Sequence, residues 1–135
     1  MPKNIIFYIY LMIMPLIGLG QNATLSTNKY SKDDMIIDKV FQLREIKNLI
    51  VNQEKLPDSL RSNIDVMIVQ KPSSKNPYYY FKVGYNKSDI FLTMFQFRVN
   101  SKFIDEKRFD KVIYILIDST EKFIPLSNWR KTRKQ

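Results

Sequence analysis

The sequence predicts an α+β domain: one N-terminal amphipathic helix packed on an antiparallel sheet of four to five strands. Three observations predict it. Apolar residues recur at helical spacing from Ile36 to Ile50, β-branched and aromatic runs follow, and the links between those runs are mostly short and polar.

Residues 1–20 precede that domain and read as a secretory signal peptide. Lys3 is followed by an apolar run from Ile5 to Leu19, and Gly18 and Gly20 stand at the −3 and −1 positions before polar Gln21. The run is 15 residues long, short of the roughly 20 that cross the hydrocarbon core as a permanent helix. The expected mature chain therefore starts at Gln21, is periplasmic or extracellular, and has no stable membrane anchor after cleavage.

Residues 21–30 are polar and aperiodic, a leader to the fold. Ser31 and Asp34 have the spacing of a capping box, with Asp33 and Asp34 favourable at the positive end of a helix dipole. Ile36, Val40, Leu43 and Ile50 then form a stripe that Ile37 and Ile46 widen, while Asp38, Gln42 and Glu45 fall on the other side. This pattern predicts one helix of about 16 to 18 residues. Leu56-Pro57 closes it, because proline disfavours helix in the residue before it.

Strands are expected at Ile64–Val69, Tyr78–Tyr85, Ile90–Val99 and Val112–Ile117. Lys71–Pro77 reads as a loop from its prolines and serines, and Asn86–Asp89 as a four-residue hairpin connection. Residues 100–110 form a polar loop with Phe103, Ile104 and Phe109 as anchors. Asp118–Glu121 turns the chain towards Phe123–Leu126 and Trp129-Arg130, with Trp129 plugging the open end of the core. Residues 31–130 make a single domain, and residues 131–135 a solvated basic tail.

The helix-then-strands order resembles the cystatin-like and NTF2-like architectures. From the helix through Pro125-Leu126-Ser-Asn-Trp129-Arg130, the chain also resembles small exported bacterial proteins that end in a hydrophobic-x-x-Trp-Arg segment. That resemblance implies an α+β fold and carries no catalytic residues.

Composition excludes much chemistry. The chain has no Cys and no His, which removes thiol nucleophiles, Ser-His-Asp triads, and zinc sites built on imidazole or thiolate. Without cysteine there is no lipidation at the cleavage site, and stability rests on the core alone. No cofactor is expected: there is no Gly-rich phosphate loop, since Gly84 is the only glycine after the leader. Asp105, Glu106 and Asp110 in one loop, and Asp118 and Glu121 at a turn, are the acids from which a carboxylate-dependent hydrolase would have to be built. Nearby Lys107, Arg108 and Lys111 would pair with the first group. The net charge of +9 suits an anionic partner, although scarce Ala and Lys in excess of Arg also fit AT-rich codon usage.

The hairpin carries the recognition reading. With Tyr85 opposite Ile90, Tyr80 would face Phe95 and Tyr78 would face Phe97, leaving both faces apolar. One face meets the helix. The other, centred on Tyr78, Tyr80, Phe95 and Phe97 and rimmed by Lys82 and Arg98, needs a cover or a partner. The sequence thus points to an exported non-enzymatic binding module for a protein or glycan, with homodimerisation as another use of that face. An envelope inhibitor or immunity-type protein and a carboxylate hydrolase are the alternatives. Nucleic acid is disfavoured by the leader and by the absence of an RNP-like motif.

Overall fold

Ser31 starts the first helix as the sequence predicts. In the computed structural model, which describes residues 30–133, its Oγ accepts from the Asp34 amide at 3.1 Å while the Asp34 carboxylate accepts from the Ser31 amide, also at 3.1 Å. The Ser31 hydroxyl also donates to that carboxylate at 2.6 Å, and this bond, with the one from the Ser31 amide, holds the Asp34 carboxyl below its ordinary range. The expected signal peptide and all but the last residue of the 21–30 leader lie outside the described residues.

The single expected helix is two. Helix α1 spans Lys32–Phe41 and α2 spans Arg44–Glu54, with Leu43 between them in extended backbone (φ −64°, ψ 137°). On one continuous helix Glu45 would point about 200° away from Leu43. The break releases that constraint, so that Leu43, Glu45 and Ile46 are all buried. The apolar stripe names the right core residues, but it cannot register a break placed to bury a charge.

A 3₁₀ turn at Asp58–Leu60 leads to β1 (Asn63–Gln70), β2 (Tyr78–Lys87) and β3 (Ile90–Asn100). A 3₁₀ turn at Ser101–Phe103 and the short helix α3 (Phe109–Val112) follow, then β4 (Ile113–Ile117), β5 (Lys122–Pro125) and α4 (Leu126–Thr132). The fold is α+β, with four α-helices among the described residues. The five strands form one antiparallel sheet in sequence order, β1-β2-β3-β4-β5. The Lys131-Thr132 part of the expected tail is helical. Of the three expected anchors in the 100–110 segment, Ile104 and Phe109 are buried and Phe103 is exposed.

The core lies between one sheet face and the helices. Ile36, Val40, Leu43 and Ile46 from α1, α2 and their junction meet Val66, Phe81, Val83, Phe97, Val99, Ile113 and Ile115 from four strands. Leu126 closes the cluster from α4, and half-buried Trp129 packs edge-to-face on Phe95 with centroids 6.0 Å apart. No helix among the described residues is long and apolar enough to cross a membrane.

One polar network crosses this packing. The Arg130 guanidinium on α4 donates to both Glu45 carboxylate oxygens, at 2.8 and 2.9 Å, and to Asp110 on α3 at 3.0 Å. Burial pushes the Glu45 carboxyl up, but the hydrogen bonds from Arg130, a backbone donor and the nearby arginines outweigh it and hold the group below its ordinary range. Asp110 is lowered in the same way: burial opposes, and Arg108 and Arg130 prevail.

Candidate functional site

The register of β2 and β3 decides which side chains share a surface. The connection is two residues, Ser88-Asp89, with Ser88 at φ 56°, so Lys87 rather than Tyr85 opposes Ile90. This displacement alone would leave the predicted faces unchanged, because two residues restore the pleat. A β-bulge changes them. Gly84 opposes Thr93 while Val83 opposes Phe95, leaving Met94 as the extra residue. Beyond it every β3 side chain sits on the opposite face from the one predicted. Gly84 fits this point because a Cβ there would collide with the backbone carbonyl of Leu92.

The corrected pairing divides the predicted surface. Phe97 opposes Phe81, stacks on it with centroids 5.6 Å apart, and is fully buried in the core. Phe95 opposes Val83 and packs against the same core. Neither belongs to the outer face. Tyr78, Tyr80, Lys82 and Arg98 do lie together on the face turned away from the core, where Tyr80 opposes Arg98. The residues that sequence reasoning missed are Tyr114, which opposes Arg98 from β4, and Phe123 from β5. No local signal in β4 or β5 could have placed them, because Tyr114 meets Arg98 through the β3–β4 pairing and Phe123 joins the face through the β4–β5 pairing.

Together these residues build an arginine caged by aromatic rings. The Arg98 guanidinium carbon stands 4.7 Å from the Tyr78 ring centroid, 4.8 Å from Phe123 and 5.3 Å from Tyr114. Tyr80 and Phe123 are on strands separated by two others, yet their rings meet edge-to-face at 5.7 Å. With strands about 4.8 Å apart, such a contact requires the rings to lean over the strands between them. The four aromatic side chains are half-buried, so the face is covered in part by its own side chains.

The electrostatics of this cage are incomplete. Arg98 Nε is buried without a hydrogen-bond partner among the described residues. Every salt bridge among those residues uses other cations, leaving both Arg98 and Lys82 without a carboxylate. The rings fix the guanidinium plane and stabilise its charge by cation–π attraction of about 0.5–2 kcal/mol, but they supply no acceptor. A carboxylate can supply one with planar, two-point geometry. On the same face Met67 is exposed and opposes Lys82, which extends an apolar margin towards β1.

The candidate acids are placed differently. Asp105, Glu106, Asp118 and Glu121 are exposed, and Asp110 is engaged by Arg130 and Arg108. No group of three or more metal-ligating side chains converges among the described residues. In comparisons with known proteins the chain matches no family model, no curated protein and no solved structure.

Proposed function

We propose that this chain is an exported, non-enzymatic binding module that recognises a protein partner through the outer face of its sheet. The observation that carries the reading is Arg98: half-buried, with its Nε buried and unpartnered, its guanidinium set against three rings, and no carboxylate on it among the described residues. An acidic side chain of the partner seats on Arg98 and Lys82, while Tyr78, Tyr80 and Phe123 supply the apolar contact around it. Buried arginine and tyrosine anchors of this kind dominate protein interfaces. The overall charge of +9 favours encounter with an acidic surface.

The test compares Arg98→Gln with Phe97→Ala in affinity capture from an envelope lysate, with melting temperature measured alongside. Arg98→Gln should keep the melting temperature within a few degrees and lose the captured protein. Phe97→Ala should lower stability by about 3–5 kcal/mol, as expected for a fully buried aromatic. A partner retained in full by Arg98→Gln sinks the proposal. Export is tested separately by intact-mass measurement of the processed protein, where cleavage between Gly20 and Gln21 is expected.

A further inference from the structure

A second concave surface lies on the helix side of the molecule, away from the Arg98 face. It encloses about 430 Å³ where the α1–α2 junction meets the segment before β4 and the C-terminal helix. Lys39, Arg44, Lys107, Arg108 and Arg130 converge on it from four parts of the chain. Only two carboxylates are paired with these cations: Glu45 and Asp110 both bind Arg130, Arg44 stands 3.7 Å from Glu45, and Arg108 is 3.4 Å from Asp110. Lys39 donates to the Glu106 carbonyl oxygen at 2.8 Å, which orients its ammonium without neutralising it. Lys107 has no ion pair among the described residues. The cavity therefore holds an excess of three positive charges over its carboxylates.

The floor of the same cavity is apolar. Leu43 and Phe109 line it and are 4% and 5% exposed. Two arginine forks above an apolar floor suit a multiply charged oxyanion attached to a hydrophobic body. Arg130 is held by three hydrogen bonds to Glu45 and Asp110, so it acts as a fixed wall. Lys107 has no ion pair among the described residues, and Arg44 and Arg108, whose side chains are 58% and 67% exposed and whose contacts with Glu45 and Asp110 are 3.7 and 3.4 Å, can turn onto a ligand.

From this arrangement we infer that the cavity between the α1–α2 junction and α3 binds a phosphomonoester, with its phosphate on Arg44, Lys107 and Arg108 and its apolar body on Leu43 and Phe109. The phosphate can come from a small free ester or from the headgroup of a membrane lipid. Two probes distinguish these sources.

Phenyl phosphate is titrated into the isotope-labelled protein while the backbone amide resonances of residues 43–44 and 107–109 are followed at constant ionic strength. Vesicles with and without phosphatidic acid are used in parallel sedimentation assays. Arg44→Gln/Lys107→Gln removes two exposed cations, with the 3.7 Å Arg44–Glu45 contact, and leaves the three hydrogen bonds from Arg130 to Glu45 and Asp110 in place; Lys107→Gln alone serves if the double variant melts early. A saturable shift at those amides, weakened at least about tenfold in the variant, supports a free ester. Sedimentation with phosphatidic acid vesicles alone, lost in the variant, supports the headgroup. Shifts reproduced by sodium chloride, or binding to either probe undiminished by the substitutions, overturn the inference.

Discussion

Removing Arg130 tests whether the polar network is structural. Arg130→Met keeps most of the apolar stem of the side chain but deletes the fork that holds Glu45 and Asp110. The Glu45 side chain is only 6% exposed and that of Arg130 20%, so the substitution leaves a nearly buried carboxylate facing its remaining cation, Arg44, at 3.7 Å. Breaking a fully buried pair from one side costs about 3–5 kcal/mol. Arg44 and the partial solvent access of Arg130 reduce that here to about 2–3 kcal/mol, a fall in melting temperature of roughly 10–20 °C for a domain of this size. Urea denaturation followed by far-ultraviolet circular dichroism measures it. Adding Glu45→Gln to Arg130→Met should recover part of the loss, since the orphaned charge is then gone. Lys71→Met is the control, because its 2.6 Å pair with Asp33 leaves the lysine side chain 66% exposed, and it should move the midpoint little. An Arg130→Met cost below about 0.5 kcal/mol, the scale of an ordinary surface change, refutes the argument, as does strict additivity with Glu45→Gln.

The same network fixes the acid response. Glu45 and Asp110 are held below their ordinary values of 4.5 and 3.8, so their stabilisation is complete above those values and is lost as pH falls through the lower folded ones. Denaturation midpoints should drop on acidification through this range, and drop less steeply in Arg130→Met; parallel profiles would exclude the network as the cause. Val40→Asp and Leu43→Asp each place an unpaired charge in the core, whereas Gln42→Asp falls on an exposed position. The first two should prevent stable folding and the third should cost little, as thermal melts will show. Gly84→Ala should cost about 1–3 kcal/mol, because the new methyl group meets the Leu92 backbone, which cannot rotate away as a side chain could. A melting temperature equal to that of the parent would mean that β3 can shift at the bulge.

Local chemistry by itself determined the fold class and much of the core. The capping box at Ser31, the stripe Ile36-Val40-Leu43-Ile50 widened by Ile37 and Ile46, and the β-branched and aromatic runs that became strands depend on residues a few positions apart, and periodicity reads such patterns directly. Tyr78, Tyr80 and Lys82 were also grouped on the face they share, whereas Arg98, named as a rim residue, reaches that face only because the bulge reverses β3.

Tertiary structure decided the rest. The helix breaks at Leu43, and beyond the break Glu45 receives two hydrogen bonds from Arg130, 85 residues away, a partner that no local pattern announces. The surface lost Phe95 and Phe97 because one extra residue, Met94, reverses every later side chain in β3, and a bulge has no periodic signature. The surface gained Tyr114 and Phe123 because strands distant in sequence were brought into one sheet, where their rings close around a guanidinium. Composition could show that the chain is basic and rich in aromatic residues, but only the register of the sheet could set one arginine among three of them with no carboxylate partner among the described residues.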